Sequence, residues 1–309
     1  MIGRLFIDGE DAYVTYGVAV CQGGYDRLVE FPKPKQYATT DWHEENGIEI
    51  DGGIMYFEGR SFAINFMCKG DESNFNSFVI KLSDGVLHTF NFAAISLTCN
   101  LRYVSCSNFK QGMNFSTFTL TFALDEDVFA NYVYSDPTMS LYGDSDNYFN
   151  FGHFRQFGLS LLGNYKNELL KATSAKKSLE LSEQYDNGVV YDDSDDVRFS
   201  QRKSRLQFLI QAENWSDLWS RWKALLYNFS FPGKIHLLTI ASMPNYQFTV
   251  CYESMNVEQL MANGRRVVVK FNVELLTEYT VSDVPITALW TESDEIFSTE
   301  EGSLIEITL

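Results

Sequence analysis

A mainly β fold, written twice in tandem, is what this sequence predicts. Three observations predict it. The chain carries 25 Phe and 17 Tyr among 309 residues, and aromatic side chains fit the half-buried surface of a strand. Several runs alternate apolar and polar residues with a period of two, such as "FSTFTLTFAL" from Phe115 and "VVVKFNVELL" from Val267, as strands with one buried face do. The phrase "ENGIEID" at Glu45 returns as "DNGVVYD" at Asp186, 141 positions later.

The repeat extends well beyond the two phrases. At an offset of 141, "YGV" at Tyr16 falls on "FGL" at Phe157, Leu28 and Val29 on Leu169 and Leu170, and Lys35 on Lys176. At 144, Phe62, Ile64 and Phe66 fall on Leu206, Phe208 and Ile210, and Phe75, Phe78 and Leu82 on Trp219, Trp222 and Leu226. At 148–149, His88 meets His236, and Leu101, Tyr103 and Ser105 meet Val250, Tyr252 and Ser254. At 149, Phe118, Leu120, Phe122 and Leu124 meet Val267, Val269, Phe271 and Val273. An offset that only rises is the mark of small insertions into a duplicated unit. The reading is a first domain over 1–135, a linker over 136–149, a second domain over 150–280, and a C-terminal β extension over 281–309. The linker is the Ser/Asp/Pro/Gly-rich "SDPTMSLYGDSDN".

Each unit reads in the same order. A strand leads to the YGV or FGL step, and a short helix follows ("YDRLVEF", "YKNELLK"), stopped in the first unit by Pro32 and Pro34. Next comes a polar hairpin whose Asn-Gly tip tolerates positive φ. Such a hairpin buries little of itself, so it is expected to stand off the domain as an arm. A strand and an amphipathic helix come next. Trp215, Leu218, Trp219, Trp222, Leu225 and Leu226 follow helical spacing behind an Asn214 cap, with Asp217 three residues on. Their burial contributes roughly 10 kcal/mol or more before entropy is subtracted. Two long alternating strands complete each unit.

Composition bounds the function. The net charge is −17, which repels phosphates and argues against a protein that grips nucleic acid. It leaves room for DNA that passes without sticking. No apolar window reaches the length of a membrane span, and "MIGRLFIDGEDAY" does not read as a secretory leader. Five cysteines, without CxxC spacing, read as free thiols of a protein made in a reducing cytoplasm.

The YGV step, the acidic Asn-Gly hairpin, the strand–helix pair "SRLQFLIQAENWSDLWSRWKALL" and "YQFTVCYES" before a long last strand together resemble the N-terminal domain of phage distal tail (Dit) proteins, relatives of tail tube proteins. The likeness covers nearly the whole chain, once per copy. It implies a β-sandwich or split barrel with one flanking helix per unit. It also implies a homo-oligomeric ring around the channel that DNA crosses, in contact with other phage tail proteins. Three chains would give a pseudo-six-fold ring, and six would give two stacked layers. Many relatives carry a carbohydrate-binding-like second domain where this chain has a second tube-like one. The implied place is the virion tail, after synthesis in a bacterial host cytoplasm, as a distal tail, tail tube or baseplate hub component.

Other chemistry finds little support in the residues. There is no GxSxG, P-loop or GxGxxG, so the reading is of a protein that is not an enzyme, with no catalytic residues, cofactor or metal. "DSDNYF" from Asp144 begins like a calcium loop but lacks Gly at the sixth position. Asp192, Asp193, Asp195 and Asp196 read as a solvated acidic run. The matched His88 and His236 read as packing or hydrogen-bonding residues. "NFS" at Asn114 and Asn228 and "NWS" at Asn214 match a glycosylation pattern without a secretory context. The aromatic stretches "FANYVYSDP" and "YGDSDNYFNF" read as core or interface packing. The alternative function is a carbohydrate-binding or adhesion module that uses those aromatics. Under the main reading the assembly residues are the hairpin tips, Glu45, Asn46 and Gly47 in the first copy and Asp186, Asn187 and Gly188 in the second. Deleting residues 281–309 is expected to weaken assembly more than folding.

Overall fold

The computed structural model of the chain describes residues 4–281, apart from Gln22, Asp71, Asn131 and residues 177–179, 182–189 and 192–197. The second hairpin tip (Asp186, Asn187, Gly188), the acidic run over 192–196 and the C-terminal stretch over 282–309 therefore lie outside the described residues.

Alternating aromatic and aliphatic residues produce the predicted mainly β architecture. In the first half, β1 (Leu5–Ile7) and β2 (Glu10–Asp11) precede α1 (Ala12–Tyr16) and β3 (Val18–Val20). A short helix α2 (Asp26–Val29) leads to the arm strands β4 (Thr39–Thr40) and β5 (Glu49–Ile50). Then come β6 (Arg60–Lys69), α3 (Glu72–Leu82), β7 (Leu87–Phe92), β8 (Leu97–Gln111) and β9 (Phe115–Leu124). In the second half, β10 (Tyr148–Phe149) and β11 (Gly152–His153) precede α4 (Phe154–Phe157), β12 (Leu159–Leu162) and α5 (Tyr165–Leu169). The second arm strands are β13 (Glu180–Leu181) and β14 (Val190–Tyr191). The half ends with β15 (Arg202–Ala212), α6 (Trp215–Ser230), β16 (Ile235–Thr239), β17 (Tyr246–Ala262) and β18 (Val267–Val281).

The two halves have one topology. The first seven-stranded sheet runs β2-β1-β7-β8-β9-β6-β3, and the second runs β11-β10-β16-β17-β18-β15-β12. Position by position these are the same order, and each sheet closes on its own core in a β-sandwich-like fold with a helix against it. Even the irregularities coincide. A register shift falls between Tyr103 and Ser105 in β8, and another between Tyr252 and Ser254 in β17.

The YGV and FGL steps now have a physical cause. Gly17 and Gly158 end α1 and α4 with φ of +70° and +68°, a conformation glycine adopts without a Cβ penalty. A Cβ on Gly17 would lie 2.3 Å from the Lys69 carbonyl oxygen, and one on Gly158 at 2.3 Å from that of Gln211. The tight approach lets the Gly17 carbonyl accept from Lys69 N–H, and that of Gly158 from Gln211 N–H, both at 2.9 Å.

Two of the sequence alignments need correction. Lys69 and Gln211 fix β6 on β15 at an offset of 142, so Ile64 and Phe66 match Leu206 and Phe208 rather than Phe208 and Ile210. The β9 and β18 registers fix the last strand at 153: Phe118, Leu120 and Phe122 match Phe271, Val273 and Leu275. Both slips are even. A period-two pattern keeps the same face under an even slip, so apolar alternation alone does not detect it.

The helix after β15 also differs from expectation. Sequence reading gives it one buried face. Leu218, Trp222, Leu225 and Leu226 do bury in the second core, while Trp215 and Trp219 lie against both cores, and Trp219 Nε1–H donates to the Ile95 carbonyl at 2.7 Å. The helix is buried on two sides because the first sheet unit sits beside it. Asn214 caps it as predicted, accepting from Asp217 N–H at 2.9 Å. Among the described residues no helix is long and apolar enough to cross a membrane.

Candidate assembly surface

The first arm begins with a polar sequence and ends on a neighbour. Gly47 takes a φ of +71° at the tip, which the Asn-Gly pair permits. Trp42 Nε1–H donates to Glu49 at 2.7 Å and staples the two sides. The arm does not stand free. It lies on the second sheet unit of the same chain.

The docking has a polar tip and an apolar base. At the tip, Phe199 N–H donates to the Asn46 side-chain oxygen at 2.8 Å, and Gly47 N–H donates to the Phe199 carbonyl at 2.7 Å. Lys176 donates to Asp41 at 2.5 Å and to the Trp42 carbonyl at 2.6 Å. Nearer the base, Tyr37 and Ile50 pack on the second core, Lys234 stands 3.6 Å from Asp51, and its ammonium lies 4.8 Å from the Tyr37 ring centre. Glu45 stays exposed.

The root of the arm is buried most deeply. Val29, Phe31 and Met55 belong to the core of the second unit. Trp222 Nε1–H donates to the Val29 carbonyl at 2.8 Å, and the Tyr252 hydroxyl donates to the Pro32 carbonyl at 3.0 Å. Burial of that hydroxyl pushes the Tyr252 phenol well above its ordinary range. Sequence reading missed these residues. One signal was available: Leu28 and Val29 are adjacent apolar residues on a short helix, about 100° apart around its axis, so the two can serve different cores. Leu28 faces its own core and Val29 faces the other.

Losing the tip contact has a modest expected cost. Asn46→Ala leaves the Phe199 amide without its acceptor, and a destabilisation of about 1 kcal/mol is expected. Faster amide exchange at Phe199, with the core amides of β15 unchanged, is the measurement that checks it.

The matched histidines have different surroundings. Buried His88 lies 2.7 Å from Asp8 through Nδ1 and 3.1 Å from Asp84 through Nε2, and Lys81 is 3.2 Å from Asp8. Burial raises the Asp8 carboxyl, but hydrogen bonds from His88, Thr89 N–H and Lys81 outweigh it and hold the group below its ordinary 3.8. The stability this contributes is present above pH 3.8 and is lost as pH falls through the lowered folded value. Asp8→Asn is expected to cost about 1–2 kcal/mol at neutral pH and to flatten that acid limb of the stability curve. Urea midpoints measured from pH 2 to 7 check both. His236 instead places Nε2 3.2 Å from the Phe229 carbonyl, and burial lowers its pKa despite that bond.

The remaining sequence candidates resolve into structure. Asp144 accepts from Asn147 and from Leu161 N–H at 3.0 and 2.9 Å, tying the linker to β12. Among the described residues no cluster of His, Cys, Asp or Glu could hold a metal ion. The five cysteines are free. Asn228 is buried and donates to the Ala224 carbonyl and the Tyr134 hydroxyl, while Asn214 is the helix cap. Tyr134 stacks on Tyr227, with Phe129 edge-on to it and Tyr132 tilted against it, and Phe149 and Phe151 pack against Phe229. Beside Phe57, Phe129 and Tyr227 runs a cleft of about 440 Å³ that also touches Asp125, Glu126 and Asp127. Of its five aromatic residues, Phe129 leans on Phe57 and Tyr227, Phe57 also meets Tyr252 and Phe231 meets Tyr227, while Tyr56 and Phe231 are exposed.

No family model matches the chain, and a search of curated proteins found no match.

Proposed function

We propose that this protein is a structural component of a phage or prophage tail, of the distal tail, tail tube or baseplate hub type, whose units stand side by side around the DNA channel. One observation carries the reading. The chain is a single β topology present twice, and the first unit grips the second through an arm and a deeply buried root. A unit that grips an equivalent unit in this way is suited to propagate around a ring. The resemblance of the YGV step, the Asn-Gly arm and the strand–helix order to distal tail proteins supports the same reading, and so does the net charge of −17, because a cationic wall would trap passing DNA. The proposed role is assembly and not catalysis.

The test is purification of the whole chain, followed by mass measurement and negative-stain imaging. Closed rings with a central hole are expected. Glycan-array binding by a chain that stays monomeric would favour the adhesion module instead.

A further inference from the structure

The interface between the two units has two partners inside one chain, and each unit carries both halves of it. The first unit's root and arm are docked, and so is the second unit's receiving face. The second unit's root and the first unit's receiving face are the halves left over. Their counterparts can be identified residue by residue. Arg60 donates to the Leu28 carbonyl, and Arg202 to that of Leu169, so Leu170 stands where Val29 stands. The isolated bridges Pro34–Phe57 and Ala175–Phe199 coincide, so Phe199 stands where Phe57 stands. His88 opposite Leu101 matches His236 opposite Val250, so Val86 and Leu87 stand where Lys234 and Ile235 receive the arm.

Burial differs between docked and leftover halves in the same direction on both sides. Val29 is 0% exposed and Leu170 is 36% exposed. Phe57 packs on the second core, while Phe199 is 45% exposed. Lys234 is 2% exposed and its counterpart Val86 is 55% exposed, while Leu87 at 49% is only a little more exposed than its counterpart Ile235 at 39%. The Lys176 side chain is covered by the first arm, and its counterpart Lys35 is exposed. Even the backbone is prepared. The Pro34–Phe57 ladder is made by Lys35 N–H to the Tyr56 carbonyl and Glu58 N–H to the Lys33 carbonyl, which turns the N–H and C=O of Phe57 away from Pro34. The matching groups of Phe199 receive the first arm's tip.

We infer that the occupant of the first unit's receiving face is the second unit of another copy of this chain, docked as the first unit docks within the chain. The inference rests on the assembly reading above and adds its direction and contact residues. The contact is head to tail, so it closes a ring or continues as a filament, and it does not stop at a two-fold dimer. Every chain contributes two positions to the circle, alternating a covalently linked interface with one between copies. Exposed Lys35 is the counterpart of Lys176, which Asp41 of the first arm meets, and the second arm's sequence is rich in carboxylates.

The test uses the whole chain and exposed positions. Val86→Asp with Leu87→Asp disables the receiving face, and Leu170→Asp disables the root. Lys35→Glu is a milder block that leaves the apolar contacts intact. By analytical ultracentrifugation, wild type is expected to assemble, and each disabled variant alone is expected to remain monomeric with the wild-type circular dichroism. Lys35→Glu is expected to weaken assembly at least tenfold. An equimolar mixture of the receiving-face and root variants retains one good interface, so it is expected to give a two-chain species and nothing larger. Wild type that assembles while the variants assemble equally well would overturn this inference and leave the tail reading standing. A mixture that stays monomeric beside an assembling wild type would also overturn it. Wild type that stays monomeric at every concentration would overturn both.

Discussion

Replacing Trp222 by alanine is expected to destabilise the protein by about 3–5 kcal/mol, the range for removing a buried indole. The residue is 4% exposed. Its ring centre lies 4.5 Å from that of Phe31 in the first half and 5.0 Å from that of Phe271 in the second. Its N–H also satisfies the Val29 carbonyl, which Trp222→Ala leaves buried without that donor. The substitution therefore acts at the seam between units as well as in one core. In wild type, fluorescence and circular dichroism are expected to report one coincident unfolding transition, because α6 and the arm root tie the cores together. In Trp222→Ala the transitions are expected to separate. Trp222→Phe keeps most of the packing and loses only the donor, so about 1–3 kcal/mol of the loss is expected to remain. Phe78→Ala, at the matching place in the first unit, is expected to cost a similar amount without separating the transitions. A loss below 1 kcal/mol for Trp222→Ala would contradict the seam.

The second large effect belongs to the paired glycines. Gly17→Ala and Gly158→Ala are each expected to cost about 2–4 kcal/mol. The left-handed backbone accounts for about 1–2 kcal/mol of that. The remainder comes from moving the Lys69 or Gln211 carbonyl, 2.3 Å from the new methyl, which also stretches the bond that the same residue's N–H donates to the glycine carbonyl. The two penalties should agree closely, because the surroundings are the same in both copies. Chemical denaturation of the two variants side by side checks this. A large penalty in one and none in the other would show that the matched step does different work in the two units.

Much of this architecture was legible in the sequence, for definite reasons. Period-two alternation exposed the strands, Asn214 with Asp217 exposed the long helix, and the Asn46-Gly47 phrase exposed the first arm. The two alignment errors, at β6 and β9, came from even slips that leave every apolar residue on its own face; only backbone partners such as Lys69 with Gly17 remove that ambiguity. The first arm's destination was not legible either. Asn46 and Gly47 announce a turn, but nothing local says that Phe199, 153 residues away, receives it. Trp219 and Tyr252 read simply as core residues. Their polar tips, donating to carbonyls of the first half, are what join the units. The two histidines show the same limit. Their positions match, and yet Asp8 and Asp84 surround one while backbone groups of Phe229 and Gly233 meet the other.

The claim on which the functional reading depends is that this duplicated module associates with its own kind around a hole. Native mass spectrometry of the purified chain, combined with class averages of the same sample, tests it most directly. The account predicts closed rings in which the number of β units around the circle is twice the number of chains. A single-chain mass at every concentration, with no ring in the images, would contradict it.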